Sequence, residues 1–540
     1  MSTPPGPGAG PEPGPDPVVG PVVGPDPEPG PPVDPAATSD GALGEPTMRN
    51  GVGWSLAALV ASKLTSFVAL LILARLLVPD EFGVVAAVTI YLAFLEIASD
   101  LGIKAVVIYE QERGHGRRVQ TAFTLNLIVV AVATLVGAAL SWPVSGFFGL
   151  EDRQGLFLVG VLSLTAAGVS NIHDALLLRE LSLGRRVRPQ LARGLVQAIV
   201  SIALAASGMG AGALVVGAVC GSVAWTVVQW TTTRFRPDLG LDRAIARSML
   251  AYAAGAWLFF VTSWLSIQAD VLVVGHRLDT DDLAIYTMAY RLPELLVFNV
   301  GWTLSLVAFP AMSRRRVRGD ADVPEATIGL IGWLGLYALP VAAGLSVLGQ
   351  PIVDVLFSSR WSDSGPVLSG VAVAVAMLTV VSPIADAAKA MGRQWSMVVI
   401  YALHVPIVVV AVELASSGGP EAVAWASVGA TVVFVVGLLA WADRVLRIPL
   451  RRMAGAMRAP AGAALGVVVL ALPVRLAADG LPVLPALVLG MLAGTAGAVL
   501  GLRVLAPGTL TAIGGETGLD GLRARFRRGG PPAPPVAPGV

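Results

Sequence analysis

Apolar residues follow one another along this chain in long blocks that are separated by short polar breaks. Between residues 50 and 505 the blocks are each about as long as the roughly 20 residues that a helix needs to cross a membrane. The pattern therefore predicts an all-α polytopic membrane protein with about 14 transmembrane helices, over residues 52–73, 83–103, 121–142, 156–177, 194–209, 212–232, 250–274, 282–309, 326–348, 366–388, 396–414, 421–441, 460–477 and 484–505.

The composition excludes a soluble protein and a metalloenzyme. Of the 540 residues, 55% are hydrophobic and 14% are charged, whereas soluble domains carry about 25% charged residues. A single cysteine, Cys220, leaves no pair for a disulfide, and with four scattered histidines it argues against a metal centre. We therefore expect no cofactor, other than H⁺ or Na⁺ as a coupling ion.

Basic residues alternate between the connections of the predicted helices. The even-numbered connections hold 24 Lys and Arg residues and the odd-numbered ones hold five. Because basic residues stay on the cytoplasmic side of a membrane, this alternation predicts a multi-pass protein of the bacterial cytoplasmic (inner) membrane with both termini in the cytoplasm. No odd-numbered connection is long enough for an extracytoplasmic domain, which argues against a membrane polymerase or ligase with an external catalytic loop.

The two ends of the chain have a different composition from its middle. Residues 1–47 hold 15 prolines, 9 glycines and no Lys or Arg, which is typical of a disordered tail. Residues 508–540 are Arg- and Pro-rich, and we predict a second disordered cytoplasmic tail. Whether the first 47 residues are translated is left open, since Met48 would also open the membrane domain.

A weak internal repeat with a period near 202 residues divides the apolar region. The segments around Arg75 and Arg277 both lead from an apolar helix through Arg-Leu and a turn to an acidic pair. The two copies lie six helices apart, so they enter the membrane in the same direction. We predict two pseudo-symmetric six-helix lobes, at residues 48–240 and 241–450, followed by two C-terminal helices at 451–507.

The motifs of this repeat resemble those of the polysaccharide flippase family, within the multidrug/oligosaccharidyl-lipid/polysaccharide exporter superfamily. The first hairpin carries Arg75, Pro79, Phe82 and Gly83 in the family's spacing. The second lobe carries Asp270, Gly275, Tyr286 and Arg291-Leu292-Pro293, and departs from the family at Ala284, where a glycine is usual.

The resemblance implies a flippase that moves an undecaprenyl-pyrophosphate-linked oligosaccharide across the cytoplasmic membrane for surface polysaccharide biosynthesis. It implies alternating access coupled to an ion gradient, and no enzymatic activity. The expected partners are the lipid-linked oligosaccharide, membrane lipids, and a polysaccharide polymerase and glycosyltransferases, with a monomeric transporter and no nucleic acid. The alternative is a multidrug or small-molecule cation antiporter of the same superfamily.

Two cations within predicted helices are candidates for binding the pyrophosphate, because a buried charge is costly unless it has a function. Lys63 lies in an apolar helix beside Ser62, Thr65 and Ser66, and Arg291 lies one turn from Glu294. The alternative for Arg291 is a structural ion pair with Glu294, and the alternative for Lys63 is contact with another helix or with the membrane interface.

Four acidic residues are candidates for ion coupling or gating. Glu96 and Asp100 are four residues apart and so share one helix face, and Asp270 and Glu294 lie in the second lobe. Paired carboxylates favour reversible protonation. The alternative for Asp100 and Asp270 is a structural role near a membrane exit.

Overall fold

The computed structural model describes residues 65–104, 107, 116–179, 183–233, 235–317, 323–478 and 480–506, with the side chains of 183, 251–254, 256, 306–307, 310–311 and 314–317 left aside. Lys63 and the predicted tails at 1–47 and 508–540 lie outside these residues. The described part is built from α-helices, short 3₁₀ turns and π-helical turns, and contains no strand. The predicted all-α class is confirmed.

The helices follow one another with short connections. Their order is α1 (Thr65–Leu76), α2 (Pro79–Asp100), α3 (Arg117–Phe147), α4 (Gln154–Gly168), α5 (Asn171–Arg179), α6 (Leu183–Ala206), α7 (Ala211–Thr232), α8 (Arg243–Arg277), α9 (Thr280–Pro293), α10 (Asn299–Val317), α11 (Val323–Leu356), α12 (Ser364–Ala390), α13 (Gln394–Ala415), α14 (Gly419–Trp441), α15 (Leu450–Ala456), α16 (Arg458–Ala477) and α17 (Val483–Leu505).

Ten helical segments in the described residues are long and apolar enough to cross a membrane. The count becomes 11 if α4 and α5, which meet at a bend of 40°, form one span. Large hydrophobic side chains such as Leu135, Trp142 and Leu414 are exposed on the outer surface, as expected where lipid replaces water. The chain is therefore a multi-pass membrane protein.

Local sequence explains where several helices begin and bend. Pro79 occupies the first turn of α2, where its missing N–H costs nothing. Asp242 caps α8 and Asp279 caps α9 by accepting hydrogen bonds from backbone amides. After Pro293, the backbone of α9 widens into a π-helical turn, Glu294–Phe298, before α10 continues in the same helix.

The last two helices form a hairpin that is held together by glycines. Cβ atoms built on Gly466 and Gly497 would overlap the backbone of the opposite helix, and the same holds at Gly462 and Gly501. Small residues allow such close approach between membrane helices. The hairpin docks on α11, where the guanidinium of Arg475 donates a 2.6 Å hydrogen bond to the carbonyl oxygen of Val347.

The beginnings of α2 and α9 meet at one end of the bundle. A Cβ on Gly83 would overlap the carbonyl oxygen of Thr280, so the two backbones touch there. Nearby, the indole N–H of Trp361 donates a 3.0 Å hydrogen bond to the carbonyl oxygen of Ala74. The Trp361 ring also contacts Phe82 edge to face, with 5.1 Å between centroids. We call these contacts the closure; they join the first predicted hairpin to elements more than 190 residues later in the chain.

Candidate functional site

A cavity of about 390 Å³ lies next to the closure, between α1, α2, α6, α7, α9 and the π-helical turn. Phe82 belongs to both, because its ring lines the cavity and contacts Trp361. The lining is mixed in character: apolar side chains alternate with the polar residues Ser66, Thr89, Gln197, Ser201, Thr287, Arg291, Glu294 and Asn299.

Arg291 and Glu294 are the two charged residues of this lining among the described residues. Arg291 Nη1 lies 3.5 Å from Glu294 Oε2, and the two side chains are 43% and 49% exposed. An ion pair this long and this exposed contributes little to stability. Both side chains are therefore available to a ligand that enters the cavity, which favours a functional role over the purely structural pair.

The π-helical turn sets the position of these charges. Two of its carbonyl groups bond side chains: Asn299 Nδ2 donates to Glu294 O at 2.9 Å, and the Tyr337 hydroxyl donates to Leu296 O at 2.6 Å. Turns of this kind occur mostly as single insertions in α-helices, frequently at functional sites. Here the turn places Arg291, Glu294 and Asn299 on the same wall of the cavity.

Lys63, the other predicted phosphate ligand, lies outside the described residues, so its role stays a prediction. Ser66, one turn later in the chain, lines the cavity.

Glu96 and Asp100 lie away from the cavity lining, at the far end of α2 from the closure. Asp100 is the last residue of α2, and its Oδ2 lies 3.9 Å from Lys104 Nζ. Glu96 lies within electrostatic range of Arg193 on α6, whose guanidinium stacks over Trp225 at 5.1 Å from the ring centroid. The structure thus surrounds this predicted acidic pair with two cations.

Asp270 lies in the interior, with a relative exposure of 3%. Its Oδ2 accepts hydrogen bonds from the hydroxyls of Tyr286, at 2.8 Å, and Tyr290, at 2.6 Å. The amide of Val271 donates to Oδ1 at 2.8 Å. Three donors on one buried carboxyl group satisfy it as an acceptor, and they place it between α8 and α9.

The family motif residues lie at the closure. Gly83 makes the backbone contact with Thr280, Phe82 packs on Trp361, and Pro79 starts α2. The side chain of Arg75 is exposed beside them at the end of α1. The sequence placed this motif in the first hairpin, and the structure shows that the hairpin packs against Thr280 and Trp361 and that Phe82 of the motif also lines the cavity.

Thr89, Gln197 and Ser201 line the cavity and were missed by the sequence analysis. Thr89 is exposed in the middle of an otherwise largely buried helix, which is explained by its facing the cavity. Gln197 and Ser201 are four residues apart on α6, and so share a face. Two polar residues at that spacing in an apolar helix could have indicated a polar helix face, but the sequence-based candidates were all charged residues.

Another ion pair, between Asp386 and Lys389 near the end of α12, has no function assigned from the sequence. Lys389 Nζ lies 2.8 Å from Asp386 Oδ1. The ammonium group also lies 5.1 Å from the Phe259 ring centroid and 5.2 Å from that of Phe309. Such contacts between a cation and aromatic faces are attractive, and they fix this pair within the packing of α8, α10 and α12.

Comparison with known proteins gives similarity to proteins of polysaccharide biosynthesis. Over 352 residues the chain is 23% identical to the succinoglycan biosynthesis transport protein ExoT of Rhizobium meliloti, covering 64% of this chain and 70% of the relative. It is 24% identical over 357 residues to the lipopolysaccharide biosynthesis protein WzxC of Escherichia coli, covering 64% and 70%.

Solved structures with the same fold include a flippase and a multidrug exporter. The lipid II flippase MurJ, in an inward closed conformation, superposes with a TM-score of 0.66 at 14% identity, over 84% of this chain and 99% of MurJ. An inward-facing multidrug resistance MATE family transporter of the MOP superfamily superposes with a TM-score of 0.54 at 14% identity, over 74% of this chain and 99% of the transporter.

The family itself is given by the sequence. The profile of the family described as "Polysaccharide biosynthesis protein" matches residues 72–366, from the end of α1 to the start of α12 and across the closure. This is more than half of the chain, and it includes the motif residues from Arg75 to Arg291. The predicted family is confirmed: the chain belongs to the polysaccharide biosynthesis protein family.

Proposed function

We propose that this protein is a flippase that moves an undecaprenyl-pyrophosphate-linked oligosaccharide across the bacterial cytoplasmic membrane for surface polysaccharide biosynthesis. The observation that carries the proposal is a solvent-accessible arginine, Arg291, in a cavity between membrane helices of this family. The protein acts as a transporter and not as an enzyme. It works as a monomer, with glycosyltransferases supplying its substrate and a polymerase consuming the product.

Arg291 binds the pyrophosphate in this mechanism. Moving that group through hydrocarbon without a cationic partner is prohibitively costly, and arginine matches phosphate oxygens with paired hydrogen bonds. Lys63, two residues before Thr65 in the sequence, supplies a second cation. When the cavity is empty, the Arg291 guanidinium forms a weak ion pair with the Glu294 carboxylate. The pyrophosphate replaces Glu294 as the partner of Arg291 when it binds.

Transport is coupled to H⁺ or Na⁺. The carboxyl group of Asp270 belongs to a hydrogen-bonded network with Tyr286 and Tyr290, and Tyr290 is one residue from Arg291. A change in ion occupancy at Asp270 thus acts on the helix that carries the phosphate ligand. Glu96 and Asp100 are the coupling sites at the other end of α2.

The chain crosses the membrane fourteen times in this proposal. The segment Gln394–Leu446 holds two helices, α13 and α14, joined at Ser416–Gly418. The bent pair α4–α5, the short apolar helix α1 and the interrupted helix α9–α10 supply the remaining crossings. Two six-helix lobes then face each other across the cavity, and both termini are cytoplasmic.

The second candidate is a multidrug or small-molecule cation antiporter. It is favoured by Glu294, an exposed carboxylate in the cavity, and by the fold shared with a MATE transporter. The two candidates predict opposite effects at one pair of residues: a flippase depends on Arg291, and a cation exporter depends on Glu294.

The deciding experiment measures flipping in proteoliposomes that contain the full chain and a fluorescent undecaprenyl-pyrophosphate oligosaccharide. We expect Arg291→Ala to lower the flipping rate at least about 10-fold, as loss of one charged hydrogen-bonding partner is about 1.5–3 kcal/mol. Arg291→Lys retains part of the rate, and Arg153→Ala, an exposed arginine at a connection, serves as the matched control.

An unmodified protein that does not flip the lipid but exports a lipophilic cation, with export unchanged in Arg291→Ala and abolished in Glu294→Gln, would establish the antiporter instead.

A further inference from the structure

The two walls of the cavity differ in charge. The wall made by α9 and the π-helical turn carries both charged residues of the described lining, Arg291 and Glu294. The other wall, from α1, α2, α6 and α7, carries only uncharged polar groups among its described residues, on Ser66, Thr89, Gln197 and Ser201. An amphipathic ligand with one anionic part therefore has one favourable orientation.

Two of the uncharged groups have hydrogen-bonding capacity to offer a ligand. Within the described residues, the hydroxyl of Thr89 and the carboxamide of Gln197 make no hydrogen bond, although threonine in a helix commonly bonds a preceding carbonyl. Thr262, in α8, shows that usual arrangement, with its hydroxyl 2.7 Å from Leu258 O. A carboxamide provides two donors and an acceptor, and a hydroxyl provides one donor and an acceptor.

We propose that this α2–α6 wall is a saccharide subsite that binds an uncharged, hydroxyl-rich sugar residue through Thr89 and Gln197. Sugar hydroxyls both donate and accept, and so match a carboxamide and a hydroxyl but gain nothing from a fixed charge. Phe67 and Phe82 line the same cavity and add apolar surface that the C–H groups of a sugar can contact.

The size of the cavity fits this division. A volume of about 390 Å³ lies at the low end of the range for small-molecule sites. It suffices for a pyrophosphate on the Arg291 wall and the adjoining sugar on the Gln197 wall, while further sugars extend outside. Selectivity then rests on the first sugar of the chain, the one joined to the pyrophosphate. This inference rests on the proposed flippase function.

The position of Gln197 is held by close helix packing. A Cβ on Gly221 would lie 2.9 Å from Gln197 Cβ, and a Cβ on Gly217 would lie 3.0 Å from Gln197 O. Helix α7 therefore lies against α6 through its glycines, which leaves the backbone at Gln197 little freedom. A residue held in this way selects among sugars better than one on a loop.

The test compares two lipids on the purified full-length protein in nanodiscs. One probe is undecaprenyl pyrophosphate bearing a single uncharged hexose, and the other is bare undecaprenyl pyrophosphate. We expect Gln197→Leu and Thr89→Val to weaken binding of the hexose-bearing lipid by about 5- to 10-fold. Both variants should bind the bare lipid within about 2-fold of the unmodified protein.

Two further variants separate recognition from folding. Thr89→Ser keeps the hydroxyl and should bind the hexose-bearing lipid as the unmodified protein does. Thr262→Val removes a hydroxyl that already bonds a backbone carbonyl, and it should change the affinity for neither lipid. Arg291→Ala should weaken binding of both lipids.

Three outcomes would overturn the inference. In the first, the Gln197 and Thr89 variants lose affinity for both lipids equally. In the second, these variants keep their affinity for both lipids. In the third, the unmodified protein binds the bare lipid more tightly than the hexose-bearing lipid. If the unmodified protein binds neither lipid, the proposed flippase function fails as well, which distinguishes the two claims.

Discussion

At the scale of single residues, the carboxyl group of Asp270 is buried and accepts three hydrogen bonds. Its three donors, from Tyr286, Tyr290 and the Val271 amide, join two consecutive helices in the membrane interior. A hydrogen bond in that setting is costly to leave unmade, because no water replaces the lost partner. The network thus links α8 to the helix that carries Arg291.

The first prediction concerns this network. Tyr290→Phe removes the donor at 2.6 Å from Asp270 Oδ2 while keeping the ring. We expect a loss of about 1–3 kcal/mol in the free energy of unfolding, since a buried acceptor loses a partner. Thermal unfolding in detergent measures it, with Tyr337→Phe, whose hydroxyl bonds a backbone carbonyl, as the comparison. An unchanged melting temperature in Tyr290→Phe would show that the network contributes no stability.

Residues of the cavity lining could be predicted from the sequence where a charge stands out in an apolar stretch. Arg291 and Glu294 were identified in this way, and both line the cavity. Asp270 was identified as a candidate, but its tyrosine partners come from 16 and 20 residues later in the chain, a pairing that depends on how α8 and α9 cross. Thr89 and Gln197 escaped notice because an uncharged polar residue is common in membrane helices, and only the position of the cavity distinguishes these two.

At the scale of helices, the closure is the feature that joins distant parts of the chain. Its backbone contact at Gly83 is supported by the buried indole of Trp361, which reaches the first hairpin from the connection between α11 and α12. Just before it, Ser358 has a φ of 143°, a conformation that only glycine adopts without strain. The predicted orientation places the closure at the extracytoplasmic side.

The second prediction is that Trp361→Phe weakens the closure. The variant keeps an aromatic ring near Phe82 but loses the hydrogen bond to Ala74 O, a loss of about 1 kcal/mol and so a roughly 5-fold shift in population. A cysteine at Thr287, in a Cys220→Ala background, reports access to the cavity from outside. We expect an impermeant thiol reagent to react several-fold faster in Trp361→Phe. Equal rates would mean that the hydrogen bond does not hold the cavity shut.

The third prediction concerns pH. Burial, and then the neighbouring carboxylates of Asp80 and Asp279, raise the pKa of Asp281 at the start of α9. The protonated form is therefore favoured in the closed arrangement, so closure is strongest below the ordinary aspartate pKa of about 3.9 and weakens as the pH rises through the raised value.

The same cysteine assay tests this dependence. External acidification should slow labelling of the cysteine at Thr287, and Asp281→Asn should slow it at neutral pH and make it less sensitive to pH. A pH profile that Asp281→Asn leaves unaltered would assign the effect to other groups.

At the scale of the whole molecule, the positions of the charged residues along the chain predicted the membrane topology, whereas their number predicted only that the chain is a membrane protein. Apolar blocks located most helix ends to within several residues, because a membrane crossing needs about 20 apolar residues. Several helices extend beyond their apolar block, most of all α6, which begins at Leu183 and not at residue 194 because its first turns are Arg-rich. The sequence could not show the bend between α4 and α5, the π-helical turn after Pro293, or the docking of the final hairpin on α11. These depend on packing between segments far apart in the chain.

The fourth prediction tests the orientation derived from that distribution. In a Cys220→Ala background, a cysteine at Arg360, between α11 and α12, should react with an impermeant reagent in intact cells. A cysteine at Arg185, at the start of α6, should react only after the membrane is permeabilised, because Lys and Arg in the even-numbered connections keep them in the cytoplasm. Labelling of both positions in intact cells would contradict the alternation.

The separation between closure and cavity walls has a consequence for how specificity changes in evolution. Gly83, Thr280 and Trp361 form the contact that shuts one end, whereas Thr89, Gln197 and Arg291 lie on the walls. Among these residues and their neighbours, Phe82 alone takes part in both. If the protein is the proposed flippase, substitutions at Thr89 or Gln197 change the ligand that fits while the contacts of Gly83, Thr280 and Trp361 stay intact, so a new specificity requires no new mechanism of opening.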